Sequence, residues 1–180
     1  MIVDTDTRLI APHGGVLVDR TGDRPGGAER LELLTLTSRE LSDLELLACG
    51  ALSPLDGFMG REDYESVLET MRLSNGLPWA LPVGLAVERA PAGDQVALAD
   101  PSGSPVAVLD VEDVYSYDKE HEAEQSFRTT DAAHPGVARL YEQKPLYLAG
   151  RVTVFELPEP AFPELAKTPA EMGATLKSVL

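Results

Sequence analysis

A succession of short apolar alternations in the middle of the chain most constrains the fold. Large apolar residues occupy alternate positions in three segments: Val83, Leu85 and Val87; Val96 and Leu98; Val106 and Val108. A period of two is typical of strands that bury one face, and residues 100–104 have the composition of a turn. No segment of helical length separates these strands, so the pattern predicts a β meander rather than a sheet of βαβ units.

Further strands are indicated on both sides of this meander. Residues 31–36 form a short apolar run between turns, and residues 146–156 form a longer run that contains Ala149–Gly150. Glycine inside a strand favours a bulge or a bend, so we expect an irregularity at that point. Residues 16–18 also alternate and predict a strand that enters an exposed loop at residues 19–27.

Helical signals interrupt the strands. Ser42 and Glu45 fit a capping box, which predicts a helix from about residue 43 to residue 49 that Gly50 ends. Three further helices are indicated, at residues 64–71 with Tyr64, Val67, Leu68 and Met71 on one face, at 118–125, and at 135–141 with Pro135 in the first turn. Short strands with helical interruptions predict an α+β fold around a partly closed β-barrel.

Composition narrows the classes of function. The 180 residues carry 15 Lys and Arg against 30 Asp and Glu, for a net charge of -15. Such a charge repels phosphate backbones, so the chain lacks the electrostatic properties of a nucleic-acid binder. Cys49 is the one cysteine, so no internal disulfide can form, and no apolar run is long enough to span a bilayer. We expect a cytoplasmic protein that binds neither nucleic acid nor membrane.

The segment of residues 50–59, GALSPLDGFM, combines turn residues with large apolar ones and is called the signature loop below. Pro54 fixes φ and Gly57 tolerates positive φ, whereas large apolar side chains are unusual on a solvated loop. We therefore expect the apolar residues of the loop to be core anchors, each worth on the order of 1.5–3 kcal/mol. These anchors are Leu52, Leu55, Phe58 and Met59.

The signature loop resembles the GA-SPL-GFM motif of the ATP sulfurylase (sulfate adenylyltransferase) family, in the amino-terminal PUA-like domain of those enzymes. Similar blocks continue in the family's order: PHGGVLV at 12–18, DLEL at 43–46, WALPV at 79–83, YSYDK at 115–119 and TTDAAHPGV at 129–137. The resemblance covers roughly residues 8–157 and fades through TPAE at 168–171. It implies a PUA-like domain at 1–157 and a proline-rich exit segment at 158–180 that leads toward a catalytic domain.

The resemblance implies a parent enzyme that converts ATP and sulfate to adenosine 5'-phosphosulfate and pyrophosphate in sulfate assimilation, with Mg²⁺ accompanying ATP. In that family the catalytic residues belong to Gln-x-Arg-Asn, His-x-x-His and Gly-Arg-Asp motifs, and none of these occurs in this sequence. No catalytic, cofactor-binding or metal-binding residue of the family can therefore be assigned. We expect the chain to be inactive alone and to be a scaffold for the catalytic domain or a neighbouring subunit.

Several local groups of residues have competing interpretations. The turn at residues 12–15 could offer amides to an anion, although a tight turn is the preferred interpretation. Asp131 and His134 could form a metal pair, but we favour Asp131 or a neighbour as the cap of the helix that Pro135 opens. Cys49 is interpreted as an inert, small apolar side chain.

Two charged regions near residue 120 also have competing interpretations. An aromatic and basic set could be a ligand patch, but we favour a half-buried tyrosine pair with solvated charges; its members are Tyr115, Tyr117, Asp118, Lys119 and Arg128. The acidic run of Glu120, Glu122 and Glu124 is predicted to be a solvated face. Arg128 stands where family members commonly have glycine, and arginine tolerates positive φ poorly.

An alternative function is a standalone PUA-like module that binds a protein or a small ligand without catalysis. The uncapped helical pattern of residues 175–180 leads us to expect a longer parent, which carries either the sulfurylase motifs or a kinase-type P-loop downstream. Met172 follows the TPAE segment where the family tends to have arginine. RNA binding by analogy with other PUA folds ranks last, because it rests on fold alone. Exposed apolar area is expected along the proline-rich exit segment if a further domain packs there.

Overall fold

A computed structural model of the chain describes residues 10–160 and 162–179. Within these residues it has six strands and five α-helices. The strands are β1 (Glu32–Thr35), β2 (Gly57–Phe58), β3 (Leu85–Val87), β4 (Gln95–Ala99), β5 (Pro105–Ser116) and β6 (Leu146–Val154). The helices are α1 (Ser38–Ala48), α2 (Arg61–Thr70), α3 (Lys119–Phe127), α4 (Pro135–Glu142) and α5 (Pro169–Val179).

All six strands belong to one open, mixed sheet. Its order is β1-β4-β5-β6-β2, and β3 also pairs with β6. β1 is parallel to β4, whereas every other pairing is antiparallel. One edge of β6 pairs with β5 along its length, and the other edge is shared by β2 and β3. The predicted α+β fold around a partly closed barrel is confirmed, since six strands form one open sheet and five helices accompany it.

The meander is more deeply buried than a simple alternation predicts. In β4, Val96, Ala97, Leu98 and Ala99 are all 0% exposed. The alternation here is between large and small apolar residues, so both faces of the strand are apolar and both can be covered. The prediction of strands was confirmed, and in this strand both faces are buried.

Helix α1 begins earlier than predicted, because a second capping box precedes the first. Thr37 Oγ1 accepts from the Glu40 amide, and the Glu40 carboxylate accepts from the Thr37 amide. Ser42 lies inside the helix, where its hydroxyl donates to the Ser38 carbonyl. The predicted end is confirmed, with Gly50 at φ 79° directly after the C-cap residue.

Two other predictions need correction. Residues 16–18 form no strand; the Val18 amide donates to Ser53 Oγ instead of to a sheet neighbour. The irregularity near Gly150 is present, but the extra residue is Glu112 on β5, between the pairs of Val111 with Gly150 and Asp113 with Ala149. Such a two-against-one mismatch is a β-bulge.

The proline-rich exit segment contains α5, which begins at Pro169, earlier than the helical pattern predicted at residues 175–180. Thr168 Oγ1 accepts from the Glu171 amide, and the Glu171 carboxylate accepts from the Thr168 amide, which is the same capping-box arrangement as in α1. Phe162 and Leu165 are 65% and 73% exposed in this segment. The boundary between residues 157 and 158 stays a prediction.

The signature loop anchors the sheet as predicted. Leu55, Phe58 and Met59 are buried, and Leu52 packs against the same apolar cluster. Gly57 and Gly150 bring three strands close together. A Cβ atom on Gly57 would overlap the Gly150 carbonyl, and one on Gly150 would overlap the Asp110 carbonyl. The close approach of β2, β6 and β5 therefore requires both glycines.

Candidate functional site

Four tyrosines from separate parts of the chain meet beside the first residues of β6. Tyr115 on β5 lies opposite Tyr147 on β6 in the strand register, and Tyr64 on α2 packs edge-on against Tyr147 at a ring separation of 5.5 Å. Tyr117, just after β5, stacks on Tyr147 at 3.8 Å. We call these residues, together with Glu122, the tyrosine cluster.

Glu122 is the buried acid of the tyrosine cluster, with 7% of its surface exposed. The Tyr64 hydroxyl donates to its Oε2 atom at 2.9 Å, and the Tyr147 hydroxyl lies 3.1 Å from the same atom. The prediction of a solvated acidic face is wrong at this residue, although Glu120 and Glu124 are exposed.

The burial of Glu122 follows from the start and the apolar face of α3. Asp118 caps the helix by accepting from the amides of Glu120 and His121. Ala123 is fully buried on this helix, and Phe127 packs one turn later against the same small cluster. Glu122 precedes Ala123 and turns inward with it. The spacing of Ala123 and Phe127 was the signal in the sequence that identifies this face.

Burial raises the pKa of Glu122, while the hydrogen bonds from Tyr64 and Tyr147 oppose that rise. Burial also raises the pKa values of the four tyrosines, and the nearby Glu122 carboxylate raises them further. The tyrosines therefore stay protonated at neutral pH and are hydrogen-bond donors, not bases or nucleophiles.

An open cavity of about 480 Å³ lies beside the tyrosine cluster. Glu122 and Tyr147 belong to its buried lining, and residues from α1, from α4 and from the segment just after α4 form its walls. Gly84 and Gly136 also line it. A Cβ atom on Gly84 would lie 2.7 Å from the Tyr147 ring, and one on Gly136 would lie 2.7 Å from the Phe127 ring. Both glycines thus keep side chains out of positions that the aromatic rings occupy.

Most members of the aromatic and basic set defined in the sequence analysis lie close together in the structure. They do not, however, form a half-buried tyrosine pair surrounded by solvated charges. Tyr115 is 2% exposed, and its hydroxyl donates to the Met59 carbonyl. The Lys119 ammonium donates to the carbonyls of Tyr141 and Gln143 at the end of α4, so it ties α3 to α4. The prediction of solvated neighbours was wrong for Lys119.

Arg128 lies at the other end of α3, with φ 57° and ψ 25°. The structure thus places arginine in a left-handed conformation, which glycine adopts without steric cost. The guanidinium reaches back to Gln125 Oε1 at 3.3 Å. Arg128 does not contribute to the tyrosine cluster.

His134, Asp131 and the turn at residues 12–15 have structural roles. His134 Nδ1 accepts from the Gly136 amide and so caps α4, which confirms a cap by a neighbour of Asp131. Asp131 accepts from the Ala133 amide within the preceding turn. The Gly15 amide donates to the Pro12 carbonyl at 2.8 Å, which confirms the tight turn.

Cys49 and the remaining residues give no further site. Cys49 is partly exposed rather than fully buried, and its thiol donates to the Leu46 carbonyl. Among residues 10–160 and 162–179, no three His, Cys, Asp or Glu side chains converge as metal ligands. In the same described part of the chain, no helix is long and apolar enough to cross a membrane.

Comparison with known proteins identifies the domain type. The family model described as a PUA-like domain matches residues 10–157. The chain is 49% identical over 176 residues to the sulfate adenylyltransferase of Symbiobacterium thermophilum, which covers 92% of this chain and 45% of that protein. It is 48% identical over 174 residues to the sulfate adenylyltransferase of Chloroflexus aurantiacus strain J-10-fl, with 95% and 45% covered. The chain spans less than half the length of these curated relatives.

A solved structure agrees with this assignment. The hexameric APS kinase from Thiobacillus denitrificans superposes with a TM-score of 0.71 and 29% sequence identity. The match covers 93% of this chain and 31% of that one. The resemblance inferred from the signature loop and its accompanying blocks is confirmed.

Proposed function

We propose, because the chain belongs to the PUA-like domain family, that it is the non-catalytic amino-terminal scaffold of a sulfate adenylyltransferase. One observation carries the proposal: relatives with that name match about nine-tenths of this chain but only about 45% of their own length. The scaffold packs against the remaining part of the parent enzyme or against a neighbouring subunit. A cytoplasmic location is part of the same proposal.

The chemistry of the described residues supports a scaffold. Adenylyl transfer needs groups that stabilise charge on the transferring phosphate, and the family's motifs for that work are absent from the sequence. The tyrosine cluster offers neutral donors around a buried acid, which is suited to holding α2 and α3 on the sheet. Mg²⁺ and ATP are therefore assigned to the other part of the parent, and none of the residues described above is proposed to bind them.

The direct test is turnover by the purified chain. With Mg-ATP and sulfate, we expect pyrophosphate release no faster than from a heat-killed sample. The full-length sulfate adenylyltransferase of Symbiobacterium thermophilum is the positive control under the same conditions. Pyrophosphate release by this chain above background would overturn the non-catalytic assignment.

A chimera tests the scaffold role itself. The matching segment of the Symbiobacterium thermophilum enzyme is replaced by this chain, and the truncated enzyme without any such segment is prepared in parallel. We expect the chimera to be folded and active and the truncated enzyme to be inactive. Full activity of the truncated enzyme would show that the domain is not needed as a scaffold.

A further inference from the structure

Two strands of the open sheet, β1 and β3, pair along one edge only. Among the described residues, β1 pairs with β4 and β3 pairs with β6, and neither pairs with a strand on its other side. A groove of about 310 Å³ is lined by residues 32–36 at β1 and by residues 85–89 at β3, and we call it the edge groove. An ion pair of 2.7 Å between Glu32 and Arg89 joins its two sides at one end.

The strand register shows which main-chain groups of β1 face the edge groove. The Leu36 amide, just after β1, donates to the Ala99 carbonyl of β4. The amides and carbonyls of successive strand residues alternate between the two edges of the strand, so those of Leu33 and Thr35 face away from β4. Both residues are exposed to solvent. The free edge of β1 can therefore accept hydrogen bonds from a further strand and donate to it.

The same alternation identifies Ala86 on β3. The Val152 amide donates to the Asp56 carbonyl, so the even-numbered residues of β6 face the edge that β2 and β3 share. Leu148 is one of these residues and is opposite Leu85, so the next residue, Ala86, directs its amide and carbonyl into the edge groove. Ala86 is only 5% exposed. Buried main-chain groups are nearly always hydrogen-bonded, which indicates that a partner belongs on this edge.

The two sides of the edge groove differ in chemistry. Leu34 and Leu85 line the groove and contact the large apolar cluster. On its other side the groove adjoins the cavity beside the tyrosine cluster, with which it shares Glu40, Ala86 and Lys144. Successive side chains of a strand point to opposite faces. A strand in the groove would therefore direct alternate side chains toward apolar and toward polar surroundings.

We propose that the edge groove is a binding site for an extended segment of another protein in which apolar and basic side chains alternate. The segment adds a strand between β1 and β3, and its main chain bonds to the free edges at Thr35 and Ala86. Basic side chains are favoured over acidic ones because the net charge of -15 attracts cationic segments. The proposal goes beyond the scaffold function and does not depend on it, since strand addition needs neither turnover nor a further domain.

The test is a titration of the isotope-labelled chain with synthetic peptides of about eight residues, long enough to extend past the four residues of β1. The probe alternates valine with lysine. One control has the same composition with the valines and lysines in separate blocks, and the other alternates valine with glutamate. We expect saturable amide shifts at residues 33–36 and 85–88 with the probe, slower hydrogen exchange at the Thr35 and Ala86 amides, and weaker binding of both controls.

A pair of variants at one position separates main-chain pairing from general attraction. Thr35→Pro removes the amide that faces the groove, and proline is tolerated on edge strands. We expect it to weaken binding of the probe about fivefold or more, which corresponds to one main-chain hydrogen bond. Thr35→Val is the matched control, because it keeps the amide and nearly the same side-chain shape, and it should bind as the parent chain does. The amide spectrum of each free variant reports whether the fold is retained.

Three results would overturn the proposal: no saturable shifts with the probe, equally tight binding of the block control, or equal affinity of Thr35→Pro and Thr35→Val. Dimerisation of the peptide-free chain that protected the Thr35 and Ala86 amides would assign the groove to a second copy and would also overturn it. If Thr35→Pro does not fold, the exchange of the Ala86 amide in the parent chain, with and without the probe, decides: unchanged exchange overturns the proposal.

Discussion

The two faces of β6 show two different ways of filling a protein interior. Leu148 faces the large apolar cluster and is 0% exposed. Tyr147, its neighbour in sequence, faces the tyrosine cluster and is 3% exposed. The first face is held by apolar packing alone, whereas the second buries a carboxylic acid whose oxygens are satisfied by two hydroxyl groups.

Equally buried side chains therefore do not respond equally to a change in pH. Apolar packing depends on shape and area, so its contribution hardly changes with pH. A buried acid contributes according to its protonation, so the stability of the tyrosine cluster is linked to pH.

The C-terminal ends of the helices also differ between the apolar cluster and the tyrosine cluster. Helix α1, which packs into the apolar cluster, is followed by Gly50 in the left-handed conformation at φ 79°. Helices α2 and α3, which supply Tyr64 and Glu122, end at Met71 and Arg128 with φ 53° and 57°. Non-glycine residues are disfavoured in this conformation, so the tyrosine-cluster side carries the steric cost.

The largest effect is expected on the apolar face. Leu148→Ala should lower the free energy of unfolding by about 2–5 kcal/mol, because it removes buried methyl groups and leaves a cavity. The measurement is urea denaturation followed by Trp79 fluorescence, repeated at several pH values, and the loss should be the same at each. Leu81→Ala, at a leucine that is 47% exposed, is the matched control and should have little effect. If the loss of unfolding free energy in Leu148→Ala varied with pH, the contrast between the apolar cluster and the tyrosine cluster would be wrong.

A smaller, pH-dependent effect is expected at Glu122. Burial raises the pKa of this carboxyl above its ordinary value of 4.5, so the native state holds the proton to higher pH than the unfolded state. The stabilisation is complete below the unfolded pKa and is lost as the pH rises through the native one. Relative to Glu122→Gln, the parent chain should therefore lose stability as the pH rises, by at most about 1.4 kcal/mol per pH unit for one proton.

The measurement is the free energy of unfolding of both chains between pH 4 and pH 8, with each difference taken at the same pH. Glu124→Gln, on the exposed side of the same helix, is the control and should give a curve parallel to the parent. Asp43, whose pKa is also raised by burial, is present in every chain, so its contribution cancels. Parallel curves for the parent and Glu122→Gln would contradict the assignment of Glu122 as the linked group.

The smallest effect is expected at the end of α3. Arg128→Gly should raise the free energy of unfolding by about 0.5–1 kcal/mol, because glycine adopts φ 57° without a Cβ clash. Arg128→Ala, which keeps Cβ, should give no such gain. Gly50→Ala is the opposite test on α1 and should destabilise, since its Cβ would lie 2.9 Å from the Val18 carbonyl oxygen. Thermal unfolding of the three variants measures the expected gain and the expected loss of stability. A loss of stability in Arg128→Gly would refute the steric argument.

The apolar cluster could be predicted from the sequence, whereas the tyrosine cluster could not. Alternation identified the strands of the meander, and the anchors of the signature loop were recognised because large apolar residues rarely remain on a solvated loop. These inferences use patterns among residues that are close in sequence, and such patterns are enough to identify the members of the apolar cluster.

Glu122 was missed because its burial is decided by residues distant in sequence. Its two hydroxyl donors are 58 and 25 positions away along the chain. Within the run of Glu120, Glu122 and Glu124, Ala123 adjoins both Glu122 and Glu124, so it does not show which of the two turns inward. The start of α1 was misplaced for a different reason, since two capping-box patterns follow one another, Thr37 with Glu40 and Ser42 with Glu45, and the sequence alone does not rank them.

The close backbone approach at Gly57 and Gly150 has a consequence for how motifs are interpreted. No side chain fits at either position, since each Cβ would overlap a main-chain carbonyl of the adjacent strand. A saturation screen of the chain should therefore show both positions as intolerant, although neither supplies a reactive group. A residue that tolerates no substitution in such a screen can be mistaken for a catalytic residue. At Gly57 and Gly150 the intolerance would show only that two main chains lie too close for a side chain.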